Sequence, residues 1–375
     1  MNGTYAKPVL ALIAAVIIVG SIVLLESRKT DSGAVSSGNQ DVAVLASNER
    51  IVGKENKFER AKEISTPDGF INIDGVTVSE LVGKKIILVD FWTYSCINCQ
   101  RTLPYLNAWH EKYEDDGLVI FGVHTPEFEF EQDFANVQRA VQKYGIKYPV
   151  ILDNDYSTWR SYKNQYWPRK YLIDIDGFII YDHIGEGGYE ETEQKIVELL
   201  NERSQVLGEA PVAFDERVAE GVNAVDFSQV KSPEMYLGSK RLEYLANLPS
   251  PGCPGRDCEF VAPSNIAKNR FALGGKWRIE EEKAVLVSEQ GSIFLRFSAS
   301  KVNLVAGATG HARAEVYLDG ERVDAASGHD VEDGGVTFST EDLYNLIDLE
   351  GKYGEHVLEI RFLDGNVSAF AFTFG

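Results

Sequence analysis

The apolar residues Ile86 to Trp92, broken only by Asp90, lead through Thr93-Tyr94-Ser95 into Cys96-Ile97-Asn98-Cys99. A run of this length and character reads as a strand buried on both faces, which is a central place in a sheet. A helical pattern through Tyr113 comes next. Two thiols one helical turn apart, at a strand-to-helix turn, open and close a disulfide with little backbone movement. This order of strand, Cys-x-x-Cys and helix points to redox chemistry.

The surrounding pattern is that of an α/β domain over residues 58–204. Leu118–His124 reads as a second strand. Phe128–Tyr144 reads as a helix, with Phe134, Val137, Val141 and Tyr144 recurring at three- and four-residue steps. Lys170–Ile175 and Phe178–Ile184 read as strands joined by an Asp176-Gly177 turn. Tyr189–Leu200 reads as a closing helix. Residues 205–262 read as a connector, where Pro249, Pro251 and Pro254 exclude a helix or a central strand. From 263 to 375, short apolar runs separated by turn residues predict a β-sandwich. Phe370, Phe372 and Phe374 alternate, so they are expected on one sheet face.

Net charge and cysteine usage narrow the function. The formal charge of −20 argues against nucleic acid as a partner. The four cysteines form two close pairs, Cys96/Cys99 and Cys253/Cys258, which suits an oxidising compartment. Val9–Leu25 is 17 residues without a charge, enough for a short membrane-spanning helix. No small-x-small cleavage site stands immediately after it, so residues 1–29 read as an uncleaved anchor, with a cleaved signal peptide as the alternative. Residues 30–57, rich in Ser, Gly and Asn at their start, read as a flexible tether.

At the Cys-x-x-Cys, Cys96 precedes the helix, where free backbone N–H groups favour a thiolate; it is expected to be the nucleophile. Cys99, one turn on and facing the protein, is expected to resolve the mixed disulfide. Ile97 and Asn98 bring no cation, which leans toward a reducing couple. Asp90 is either a buried carboxyl that takes the Cys99 proton or a strand-end carboxylate facing solvent. The Trp167–Pro168 bond is a candidate cis peptide whose backbone would lie beside the cysteines and pair with a substrate strand. Cys253 and Cys258 read as a structural disulfide in a Pro/Gly loop, with two rival readings: a second redox pair, or half of a four-cysteine zinc site. Trp277, Tyr317, Tyr344 and Tyr353 are candidate glycan platforms on the sandwich.

The string from Asp90 to Cys99, with Arg101-Thr102-Leu103-Pro104-Tyr105, resembles the DipZ-like branch of the TlpA/ResA thioredoxin-like family. So do Gly83-Lys84-Lys85, His183-Ile184-Gly185-Glu186-Gly187, Tyr236-Leu237-Gly238 and the closing Ala371-Phe372-Thr373-Phe374-Gly375. The resemblance implies a thioredoxin-like domain with an extra helix and strand, then a jelly-roll domain like a carbohydrate-binding module. It implies that Cys96 and Cys99 are the redox pair, that Asp90 is the buried carboxylate and that Pro168 is the cis-proline. It also implies that both folded domains lie outside the cytoplasm, which orients the anchor.

The expectation is a membrane-anchored, extracytoplasmic thiol–disulfide oxidoreductase that needs no cofactor beyond the Cys96–Cys99 disulfide. It would reduce disulfide-containing proteins. Members of the branch carry a multi-helix electron-conducting membrane domain, whereas this sequence offers one span, so a separate donor of the CcdA type is expected. The alternatives are a thiol-dependent peroxidase, a disulfide-forming oxidase, and a glycan- or protein-binding module with a secondary redox role.

Overall fold

A computed structural model describes residues 49–214, 225–249, 252–253 and 255–375. The chain divides into two compact units, Met1–Arg60 and Ala61–Gly375. In the first, residues 49–55 are helical. The expected anchor and residues 30–48 of the expected tether lie outside the described residues. Among the described residues, no helix is long and apolar enough to cross a membrane.

The second unit opens with a six-stranded sheet built from β1 (Gly69–Ile71), β2 (Ile86–Trp92), β3 (Leu118–His124), β4 (Val150–Leu152), β5 (Arg169–Ile173) and β6 (Ile179–Ile184). Its order is β1-β4-β3-β2-β5-β6. β2 runs parallel to β3 and antiparallel to β5. This is the thioredoxin-like arrangement. β2 is central, and every one of its residues is buried. Ile86, Leu88 and Trp92 pack on the side of Cys99, Leu103 and Leu106, whereas Ile87, Val89 and Phe91 pack on the opposite side against Trp159, Tyr162 and Tyr171. Full burial of such side chains contributes about 1.5–3 kcal/mol each.

The expected helix Phe128–Tyr144 is two elements: a 3-10 turn, Glu129–Gln132, and an α-helix, Phe134–Lys143. Asp133 separates them. Its carboxylate accepts the Asn136 N–H at 3.0 Å and caps the helix. Val137 and Val141 face the core, but Phe134 at the start of the helix is exposed.

The remaining strands are β7 (Met235–Tyr236), β8 (Asp257–Phe260), β9 (Arg270–Ile279), β10 (Ala284–Ala299), β11 (Lys301–Ala308), β12 (Ala312–Leu318), β13 (Glu321–Arg322), β14 (Gly335–Phe338), β15 (Asp342–Asp348), β16 (Gly354–Phe362) and β17 (Val367–Phe374). They join in one 11-stranded sheet that curls around a single apolar core. Two of them, β7 and β8, arise inside the segment expected to be connector; β7 pairs with β17 and β8 with β9.

β17 departs from strict alternation. Its register with β11 shifts between Val305 and Ala306, leaving Phe370 unopposed. Ala369, Phe372 and Phe374 point into the all-β core, while Phe370 and Ala371 turn the other way. The three phenylalanines therefore do not share one face. Phe370 packs instead against Phe128 and Phe130 of the redox domain, with ring centroids 5.3 and 4.7 Å away.

Candidate active site

The loop Thr93–Cys96 carries the chain from the end of β2 into the helix Ile97–Tyr113. The Cys96 sulfur caps that helix by accepting the Cys99 N–H at 3.3 Å. A helix N-terminus leaves its first N–H groups without helical partners, and one of them is turned onto this sulfur. Both thiols are free. Cys96 is half-buried and reachable, and Cys99 is buried behind it. Burial raises the Cys99 thiol well above its ordinary range, and its hydrogen bond to Cys96 adds to the effect.

Alternation along β2 sets the place of Asp90. Ile86, Leu88 and Trp92 face the helix that carries Cys99, and Asp90 lies in the same row. The solvent-facing alternative is excluded, since Asp90 is 1% exposed. Burial pushes its carboxyl up to about 7, and the ammonium of Lys170 opposes that rise. One carboxyl oxygen, Oδ1, has no hydrogen-bond partner. A buried acceptor left free calls for an explanation, and readiness to take a proton is one.

Lys170 lies directly across from Asp90 in the β2–β5 ladder. It is fully buried and donates to the Gly185 carbonyl at 3.3 Å. Sequence reasoning missed it, because it opens an apolar run and reads there as a strand-end residue. The signal was its register: it shares a face with Leu172, which belongs to the same core as Leu88. Gly122, the β3 neighbour of Asp90, completes the surroundings. A Cβ on Gly122 would come within 3.0 Å of the Tyr148 ring and 3.1 Å of the Trp92 indole nitrogen.

A second buried carboxyl was also missed. Glu131 is fully buried and holds the active-site turn. One of its oxygens accepts from the Ser95 hydroxyl at 2.7 Å and the Ser95 N–H at 3.3 Å, and the other from the N–H groups of Glu127 and Phe128 at 2.6 and 3.0 Å. Burial raises its carboxyl to about 7 against the pull of these bonds. In sequence it lies among acidic neighbours and reads as a solvated charge. His124 is likewise buried, between Trp92 and Tyr94. Burial lowers it to about 3, so it is neutral.

The Trp167–Pro168 bond is cis. The Trp167 indole N–H donates to the Thr125 carbonyl at 3.0 Å, and the Pro168 carbonyl accepts from the Gly185 N–H at 2.8 Å. On the other flank, Ile97 packs with Phe128 and Phe130 against Val305, Leu343 and Phe370 of the all-β domain. The Tyr94 hydroxyl donates to the Glu341 carbonyl at 3.3 Å. The second domain therefore closes one side of the redox turn.

Cys253 and Cys258 form a disulfide with Cα atoms 6.3 Å apart. Neither is a free thiol, so the pair does not complete a zinc site with Cys96 and Cys99. Trp277 and Tyr344 are core residues rather than platforms. Trp277 is fully buried, with its N–H donating to the Gly274 carbonyl, and Tyr344 is packed edge-on to Phe338. Tyr317 lies under the Arg361 guanidinium, and the Tyr353 hydroxyl accepts the Asp226 N–H.

Comparison with known proteins agrees with this layout. The AhpC/TSA family model matches residues 59–182, and the model described as a thioredoxin-like C-terminal domain matches residues 232–375. Over 254 residues the chain is 35% identical to protein DipZ of Mycobacterium tuberculosis; the match covers 67% of this chain and 35% of DipZ. The chain thus spans about a third of that relative's length. Over 125 residues it is 34% identical to the thiol-disulfide oxidoreductase ResA of Bacillus thuringiensis, covering 31% of this chain and 69% of ResA. Over 127 residues it is 29% identical to the thiol-disulfide oxidoreductase YkuV of Bacillus subtilis, covering 34% of this chain and 85% of YkuV.

Proposed function

Since this chain belongs to the TlpA/ResA-like family of thioredoxin-like thiol-disulfide oxidoreductases, we propose that it reduces disulfides in proteins outside the cytoplasm. The observation that carries the reading is one line of chemistry: a reachable Cys96, a buried Cys99 behind it, and a buried Asp90 on the same face of β2.

In the first step the Cys96 thiolate attacks one sulfur of the substrate disulfide. A mixed disulfide forms and one substrate thiolate leaves. In the second, the Cys99 thiol gives its proton to the Asp90 carboxylate and its sulfur attacks the Cys96 sulfur. The Cys96–Cys99 disulfide forms, and the second substrate thiolate departs. Two electrons pass from the pair to the substrate. The Asp90 proton returns to solvent or to a leaving thiolate. Trp167 and Pro168 are read as the backbone against which the substrate segment lies.

Electrons must then re-enter the pair. The chain's other two cysteines are closed with each other, so the donor is read as a separate membrane protein of the CcdA type. The apolar run Val9–Leu25 supports a single-pass anchor, and the family resemblance supports an extracytoplasmic side. The curled all-β domain is read as a jelly-roll-like sandwich that positions substrates.

The test is insulin reduction by the purified full chain. Cys96→Ser is expected to abolish turnover, and Cys99→Ser to trap a mixed disulfide; unchanged turnover in Cys96→Ser sinks the proposal. Resistance to alkaline extraction, and protease accessibility in intact cells, check the anchor and its side.

The match to the AhpC/TSA family supports a second reading, thiol-dependent peroxide reduction. There the Cys96 thiolate would split the O–O bond to give a sulfenic acid and an alcohol, and Cys99 would condense with it to release water. Peroxide consumption that persists in Cys99→Ser favours this reading.

A further inference from the structure

Two hollows run along the seam between the redox domain and the all-β domain. One, about 340 Å³, is lined by Trp167, Tyr156, Tyr236 and Arg241. The other, about 620 Å³, is lined by Phe130, Phe370, Glu129, Glu280 and Glu341. Lys240, Glu281 and Glu282 line both, so they are lobes of one groove. Trp167, which lines its smaller lobe, immediately precedes Pro168, so the groove reaches the segment read above as the substrate-facing backbone.

The walls of this groove are fixed by both domains. The Glu129 N–H donates to the Glu282 carboxylate at 2.9 Å, and the Leu237 N–H to the Phe370 carbonyl at 2.8 Å. The Ser239 and Lys240 N–H groups donate to the carbonyls of Glu280 and Glu281 at 2.8 and 3.0 Å. Gly238 permits this approach, since a Cβ there would lie 2.4 Å from the Glu282 Cα. The motif Tyr236-Leu237-Gly238 thereby holds the 280–282 turn at the mouth of the groove.

The lining is aromatic below and acidic at the rim. Six carboxylates face three cations. Lys240 is paired with Glu281 at 2.9 Å and with Glu282 at 3.4 Å, and Arg241 with Glu127 at 2.6 Å. Lys283 lies over the Phe370 ring. Glu129, Glu280 and Glu341 form no ion pair among the described residues. The flank of Cys96 at Ile97 and Tyr94 is closed by the all-β domain, so a bound polypeptide continues from the Trp167 side along this seam.

We infer that the groove docks a positively charged, extended segment of the protein substrate next to the disulfide under attack. Lysine or arginine heads of that segment meet Glu129, Glu280 and Glu341, while their aliphatic stems lie on the half-buried Phe130 and Trp167. The inference rests on the oxidoreductase reading above and adds a substrate class to it.

The test uses the full chain with its cysteine pair reduced and excess reductant removed. Two peptides, each closed by one disulfide and identical except for flanking lysines or flanking glutamates, are reduced under single-turnover conditions. At about 10 mM salt the lysine peptide is expected to react ~10-fold faster. Near 1 M salt, where the Debye length is about 3 Å, the ratio is expected to approach one. Glu129→Gln with Glu280→Gln is expected to lower the low-salt ratio. Glu332→Gln with Asp333→Asn, an equal change in charge outside both lobes, is expected to leave it in place. Equal rates for the two peptides overturn the docking inference and leave the oxidoreductase reading standing, as does an equal fall in both variants. Reduction of neither peptide overturns the oxidoreductase reading and the inference with it.

Discussion

Asp90 and Lys170 face each other across one rung of the β2–β5 ladder, both buried, and in the proposed mechanism their charge states govern the step that frees substrate. A base must be ionised to take the Cys99 proton. With Asp90 pushed up to about 7 by burial, the resolution rate is expected to rise through neutral pH and level off above it. Asp90→Asn removes that limb and slows resolution by ~10²-fold; quenching with acid and measuring trapped mixed disulfide against pH checks this. The same shift has a sign for stability. A carboxyl whose folded pKa lies above its unfolded value holds its proton more tightly in the native state. Stability therefore falls by about 1.4 kcal/mol per pH unit between about 4 and 7. Urea titrations of Asp90→Asn are expected to be flatter over that window than those of the parent. Lys170 pulls the other way, so Lys170→Met is expected to move the resolution profile upward by about one pH unit; a profile that stays in place removes Lys170 from the mechanism.

The elements that position this pair were legible in the sequence where the pattern was long and regular. β2 carries apolar residues on both faces and can only be central, and the helix after Cys96 is evident from its spacing. The hairpin at Asp176-Gly177 is evident from its turn residues. Reading failed where one residue decides. Asp133 ends a 3-10 turn and starts a helix that periodicity had merged into one. The bulge at Phe370 is invisible to alternation, since an inserted residue leaves the letters unchanged and flips only the side chains beyond it. Glu131 and Lys170 are buried by partners far away in the chain, which local composition does not report. β7 is too short to show a period, yet it leads into Gly238, where the backbone lies tight against the Glu281–Glu282 backbone. Gly238→Ala places a methyl 2.2 Å from the Glu282 carbonyl carbon, a backbone atom that must move as a unit with its turn. A loss of about 1–3 kcal/mol in denaturant unfolding is expected, with the Glu129–Glu282 hydrogen bond weakened in consequence.

At the scale of the molecule, the redox domain and the all-β domain share an apolar seam in which Phe370 is the central ring. Phe128 and Phe130 stack on one another and both contact it, and Val305, Leu343 and Ala371 complete the patch. The seam includes Ile97, the residue after Cys96, so interdomain packing and the redox turn are mechanically one. Two domains joined by such a patch are expected to unfold together as long as the contact outweighs the difference in their own stabilities. Four of the five tryptophans, Trp92, Trp109, Trp159 and Trp167, lie in the redox domain, and Trp277 lies in the other. Tryptophan fluorescence therefore reports mainly the redox domain, while far-ultraviolet circular dichroism reports both. In the parent chain the two denaturation curves are expected to coincide. Phe370→Ala removes a buried ring and with it about 3–5 kcal/mol, taken from the seam rather than from either core. The curves are then expected to separate into two transitions. Persistent coincidence at a lower midpoint would instead mean that the ring stabilises the all-β domain internally and that the coupling runs through the hydrogen bonds that Glu129, Tyr94 and Glu127 make across the seam.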